Sequence, residues 1–403
     1  MSAWRAFPAA PHRMMFVVGM LAATLGGLWW AMSMAGRLLP ALAPPAQVAP
    51  IWVHAWLMVF GLLGPFFFGF LFTTFPRWQN GPEVRRPVYV AVFAALLTAL
   101  ALALWGAMGS PSMFLAGVVV AGVAWLAAWV VLLRIMLAAR SIVSHAIVAA
   151  CALGLGAMTQ FGFVAGLWLG DAAVLHMALR AALWGCVVPL VYAVCHRMIP
   201  FFTQSAVPGY KAFRPEWWLV TASTLCLAHL ILALAGALGW LWLGDGLLAA
   251  LTLYGGLRWR PWQARGIPLL WTLYVAYFWL PLGLGLQFAA DVSYALTGDW
   301  LLGRAPLHAL GIGFLSSLVV AMASRVTLGH SGRQLLMDRF TVACFLALQL
   351  AAVLRVGSEL VGFPVLALSL IAVAALVWSG AIMAWSLRYG RMLVLPRIDG
   401  RPG

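Results

Sequence analysis

Three histidines, His54, His176 and His308, each open a long apolar stretch that closes at an arginine: Arg77, Arg197 and Arg325. A neutral imidazole in apolar surroundings is among the commonest ligands for metals and for haem iron. A single histidine in such a stretch serves as readily as a hydrogen-bonding residue between helices. Three at one depth, in equivalent positions, are better explained as a ligand set. The spacing supports equivalence, since 122 residues separate His54 from His176 and 132 separate His176 from His308. That is the length of four membrane helices, and the repeated ends Thr74-Phe75-Pro76-Arg77, Arg197-Met198-Ile199-Pro200 and Arg325-Val326-Thr327 are loosely alike.

Neighbouring residues sharpen the chemistry. Helix positions three, four and seven apart share a face, so His54 lies with Met58 and Gly61, and His308 with Gly311. Glycine on a ligand face leaves room for a flat macrocycle. Arg304, one turn before His308, is placed to pair with haem propionates or to cap a loop. Arg180 follows His176 by four residues and is expected to hold a propionate or another anion, with His176 a copper ligand. A second group gathers at the other ends of the helices: His12, His145, Cys195-His196-Arg197-Met198 and His330. Cys, His and Met together suit copper, so His12, His196 and His330 join His54, His176 and His308 as candidate metal ligands. Solvated or headgroup contact is the competing reading for each of this second group. His229 is expected to be an interhelical hydrogen-bonding residue. The five cysteines show no CxxC spacing, so neither a disulfide framework nor a zinc site is indicated.

The elements that must position these residues follow from composition. At 65% apolar residues, 8% charge and a mean hydropathy of +1.01, a water-soluble globule is excluded. A span needs roughly 20 apolar residues. Twelve such runs are present, at about 14–35, 50–74, 88–108, 112–136, 145–169, 173–196, 217–238, 240–257, 267–288, 302–324, 339–358 and 364–387. The fold class is therefore an all-α polytopic membrane protein of twelve transmembrane helices in three pseudo-equivalent four-helix segments. Residues 1–403 form a single membrane domain, because no connection is long enough to fold alone.

Of the 24 Lys and Arg residues, twenty fall on one side: the two ends of the chain, from Arg5 to Arg401, and alternate loops between. Arg37, Arg304 and Arg355 lie on the other side, and Arg180 lies within a span. Both termini are accordingly predicted to be cytoplasmic. The net charge of +15 is explained by this topology and by lipid contact, with no nucleic acid involved. Many of the 22 tryptophans lie near span ends, as in an interfacial aromatic belt.

The segments Pro11-His12-Arg13, His54-Ala55, Gly69 to Trp78, Arg197 to Thr203, His308-Ala309-Leu310 and Arg325 to Arg333 resemble the NnrS family. That resemblance implies a bacterial inner-membrane protein of twelve helices that contains haem and copper. It further implies a role in nitric oxide metabolism and nitrosative-stress tolerance. Many members carry His-Ala-His-Glu at the start of the second helix. Here Trp56 and Leu57 fill the last two positions, which leaves His54 as the candidate ligand there. A broader likeness is to the catalytic subunit of haem-copper oxidases and nitric oxide reductases. By that analogy His54 and His308 would both ligate one haem and His176 a copper. The paired histidines that superfamily carries on its seventh and tenth helices are absent, since these helices offer only His229 and His308, and a full binuclear site is not expected.

The leading expectation is a protein with b-type haem and copper that binds or redox-processes nitric oxide, or its iron adducts, near the outer membrane face. The alternatives are a multi-helix transporter of a small anion or metal ion, and a quinol-linked oxidoreductase whose electron donor the sequence does not identify.

Overall fold

The computed structural model describes residues 6–400. Twelve long helices follow one another: α1 (Pro11–Ala35), α2 (Pro50–Trp78), α3 (Arg86–Gly109), α4 (Pro111–Leu137), α5 (Ser144–Leu169), α6 (Ala172–Ala206), α7 (Glu216–Leu234), α8 (Leu241–Arg258), α9 (Pro268–Thr297), α10 (Ala305–His330), α11 (Arg339–Gly357) and α12 (Pro364–Val394). No strand occurs among the described residues. Eleven helices are long and apolar enough to cross a membrane. The exception is α8, at 18 residues the shortest, whose composition is diluted by Asp245, four glycines near its ends and Arg258. The protein is an all-helical, multi-pass membrane protein. Arg5 and Arg401, counted in the charge asymmetry, lie outside the described residues.

Several helices outrun the apolar runs that announce them. Helix α6 continues to Ala206 and not to 196, and α9 continues to Thr297 and not to 288. A span ends in composition where hydrocarbon ends. A helix bonds its own backbone and has no reason to stop there. His196 and Arg197 therefore lie well inside a helix rather than at its end. His12 and His330 are helical too, in the first turn of α1 and at the last residue of α10.

The helices that carry the three opening histidines share a backbone feature. Each contains a π-helical segment just beyond its histidine: Leu57–Leu62 in α2, Ala182–Val187 in α6 and Ala309–Ser316 in α10. Local chemistry supports these wider turns. Pro65 and Pro189 lack the N–H that would bond the carbonyl four residues back, on Gly61 and Gly185, and both glycines lie in the π segments. In α10 the corresponding positions are serines. Ser316 Oγ donates to the Gly311 carbonyl at 2.9 Å and Ser317 Oγ to the Ile312 carbonyl at 3.2 Å, each five residues back. A π segment inserts extra chain into a helix and is found disproportionately at functional sites. It recurs in α2, α6 and α10, the three helices that carry the opening histidines.

The chain divides into two compact units. The first is Met1–Val187 with Val326–Leu335 and Ile382–Gly403, and the second is Val188–Arg325 with Leu336–Ala381. Trp125 on α4 anchors the core of the first. Phe60 and Phe68 of α2 meet it edge-on at 5.7 and 5.0 Å, and Gly64 and Gly156 allow its ring within 2.7 Å of where their Cβ atoms would stand. Trp56, at the position of the missing second histidine, is buried and donates its indole N–H to Gln160 Oε1 at 2.9 Å. In the second unit, Trp218, Trp259 and Tyr277 form an aromatic layer between α7, α8 and α9.

Candidate functional site

His54, His176 and His308 stand at the fifth, fifth and fourth residues of α2, α6 and α10. At about 1.5 Å of rise per residue, all three lie one turn into their helices. Their surroundings differ. His54 stacks its imidazole on the Trp30 indole, with centroids 3.9 Å apart and planes inclined by 14°. His176 is exposed, with its ring edge against Trp52 at 4.8 Å, and Arg180 on the next turn is exposed as well. Arg180 thus lies within the span, as expected, on its exposed side. The acid just before α6 is a cap: Asp171 accepts hydrogen bonds from the N–H groups of Ala173 and Val174.

His308 has the most informative geometry. Its Nδ1 lies 3.0 Å from the Arg304 carbonyl, which can only accept, so Nδ1 carries the proton and the lone pair resides on Nε2. This second bond fixes the tautomer and orientation of a histidine for coordination through Nε2. Gly311, on the same face, has nothing within 4 Å of where a Cβ would stand. A histidine with its proton fixed on Nδ1 has the donor set that a haem iron takes. Arg304 is exposed, and its own carbonyl is the group that orients the ring.

Of the second group, His12 and His330 come together. Their ring centroids are 4.4 Å apart, inclined by 50°. This corrects the solvated-loop alternative: His12 is 1% exposed and His330 is half-buried. Thr73 Oγ1 donates to the Gly69 carbonyl at 2.8 Å, so its contact with His12 Nδ1 at 3.4 Å is one in which the ring N–H donates. The lone pair of His12 is then on Nε2, which is buried and meets no hydrogen-bond partner among the described residues. The pair is held by neighbouring cations. Arg13 Nη1 contacts the carbonyls of Ala6, Leu393 and Leu395 at 3.0, 3.1 and 3.0 Å, and Arg397 Nη1 donates to the His330 carbonyl at 3.0 Å. The N-terminus of α1 and the C-terminus of α12 are thereby fastened at the histidine pair.

His196 does not join this pair's chemistry. It is fully buried, hydrogen-bonded to the Pro215 carbonyl and boxed by Tyr192, Trp218 and Trp259 at 6.0 to 6.4 Å. Cys195 beside it is a free, buried thiol. Arg325 is buried in the second unit, with its guanidinium 4.2 Å above the Phe202 ring and Nη2 near Ser205 Oγ at 3.4 Å. No group of three or more His, Cys, Asp or Glu side chains that could hold a metal occurs among the described residues.

This chain belongs to the NnrS family. The family model described as NnrS protein matches residues 6–397, nearly the whole sequence. No curated protein matches the chain.

Two features of this NnrS-family chain were missed in the sequence. Trp30 and Trp52 pack on the ligand-candidate histidines His54 and His176. Asp245 and Asp291 are both buried within helices. An aspartate inside an apolar run was itself the available signal.

Proposed function

We propose that this NnrS-family protein binds haem and copper in the bacterial inner membrane and acts on nitric oxide or its iron adducts in defence against nitrosative stress. The observation that carries this reading is the Arg304 carbonyl bond to His308 Nδ1, which leaves the ring's lone pair on Nε2, one turn before the uncrowded Gly311. His308 is the axial haem ligand best supported, and His54 is the second histidine assigned that role. Ferrous haem supplies an iron that binds nitric oxide, and this apolar gas concentrates in the membrane interior. Copper is assigned to His12 and His330, because His12 Nε2 is a buried donor nitrogen without a hydrogen-bond partner among the described residues and imidazole suits copper. Two imidazoles suit the monovalent ion, which accepts few ligands.

The experiment is an optical and metal analysis of the detergent-purified protein, oxidised, reduced and exposed to nitric oxide, with a pyridine haemochrome assay. The wild type is expected to show a haem b spectrum that changes with the gas. His308→Ala and His54→Ala are expected to lose it, whereas His12→Ala and His330→Ala lose copper and keep haem. A colourless protein from cells supplied with haem precursor defeats the reading and leaves the carrier alternative.

A further inference from the structure

A buried group of titratable side chains in the second unit takes no part in that chemistry. His229 lies in the last turns of α7, Asp245 in the second turn of α8 and Asp291 two turns before the end of α9, and all three are buried. His229 Nδ1 is 2.9 Å from both Asp245 oxygens, so its N–H is shared between them. Asp291 Oδ1 accepts from Gln287 Nε2 at 2.9 Å and from Trp300 Nε1 at 3.4 Å. Asp291 Oδ2 is buried and receives no N–H or O–H donor. The ionisable group that acts on it from the adjacent helix is the Asp245 carboxyl.

Two buried ionised carboxylates offer only acceptors and repel, so neighbouring ones favour holding a proton. The groups that act on the cluster are His229 and Cys226 from α7, Asp245 from α8, Asp291 and neutral Gln287 from α9, and neutral Trp300 from the following loop. No lysine or arginine is among them. Charge is then balanced by protons. An interhelical clamp would be complete with His229 and Asp245 alone, and a second carboxyl beside it adds repulsion unless it carries a proton. Gln287 and Trp300 both hold Oδ1, which leaves Oδ2 as the atom free for the proton.

We propose that Asp245 and Asp291, with His229 bonded behind them, form an exchangeable proton-binding station in the membrane domain. In the loaded state one O–H on either carboxyl donates to the other. On release that O–H bond breaks, the proton leaves to water or to an acceptor base, and the dicarboxylate is held by the N–H groups of His229, Gln287 and Trp300. No electron transfer is involved. The cluster lies at the end of the second unit where α9 passes to α10, the end that also carries His308, and its assignment does not depend on haem.

The test is infrared spectroscopy of the full-length purified protein in H2O and D2O. Nine acidic residues in the whole chain make a carboxylic-acid C=O band assignable. The wild type is expected to show this band at neutral pH and to shift it downward in D2O. Asp291→Asn and Asp245→Asn should each abolish it, because the amide N–H donates to the remaining carboxylate in place of the shared proton. Asp291→Glu should move the band without removing it, and serves if the amides fail to fold. Absence of the band in the wild type, its persistence in both amide variants, or its indifference to D2O would overturn the proposal.

Discussion

Arg13 provides the sharpest test of how the His12 and His330 pair is held. Its side chain is 1% exposed, and Nη1 alone faces three carbonyls, on Ala6, Leu393 and Leu395. One nitrogen carries two hydrogens, so the three acceptors share two charge-assisted bonds. At about 1.5–3 kcal/mol for each bond to a charged group, Arg13→Ala should cost about 3–6 kcal/mol. Part of this is the favourable placement of a cation at the C-terminus of α12. Arg13→Lys keeps a charge and three donors on a more flexible stem, so it should recover roughly half of the loss. The assay is unfolding of the purified protein by SDS titration from mild detergent, followed by helical circular dichroism. Protease cleavage within residues 382–400 should rise in the same order. An Arg13→Ala protein within about 0.5 kcal/mol of wild type would show that the carbonyls are rehydrated at no cost, as at an ordinary surface site.

Further outcomes follow from the same geometry. Deleting Ile312 should remove the extra residue that the π segment of α10 accommodates and shift His308 relative to the rest of the helix; haem content should fall while helical dichroism is unchanged, and retained haem would sever the π segment from the site. Gly106→Ala places a Cβ against the backbone nitrogen of Phe114 across the one-residue turn between α3 and α4. A loss of at least about 1–3 kcal/mol is expected in the same SDS titration, and a neutral result would mean the hairpin yields freely. Gln160→Leu strands the buried Trp56 indole N–H and should cost about 1 kcal/mol, at the low end of the usual range, since Gln160 Nε2 is itself without a partner and is removed too. A stability equal to wild type in that titration would refute the bond's contribution.

Composition and order along the chain determined the class of this protein, the number of helices and the depth of its three opening histidines. Hydrocarbon thickness fixes the length of an apolar run, and a histidine one turn from its start can be placed by counting. The NnrS resemblance was legible for a related reason: its blocks are contiguous strings at helix ends. Tertiary structure decided which side chains meet. His12 and His330 are 318 positions apart and pair only because the ends of α1 and α10 converge under Arg13 and Arg397. The pairing of Asp245 with Asp291 likewise depends on α8 and α9 lying at one register, with Gln287 and Trp300 holding one oxygen of the Asp291 carboxyl. The π segments were hidden as well. Pro65 and Pro189 are visible in the sequence, but a proline can kink, end or widen a helix, and the packing around it selects among these. Linear spacing sets depth in a membrane, whereas azimuth around each helix axis is set by neighbours from distant parts of the chain, and azimuth decides which donors share a site.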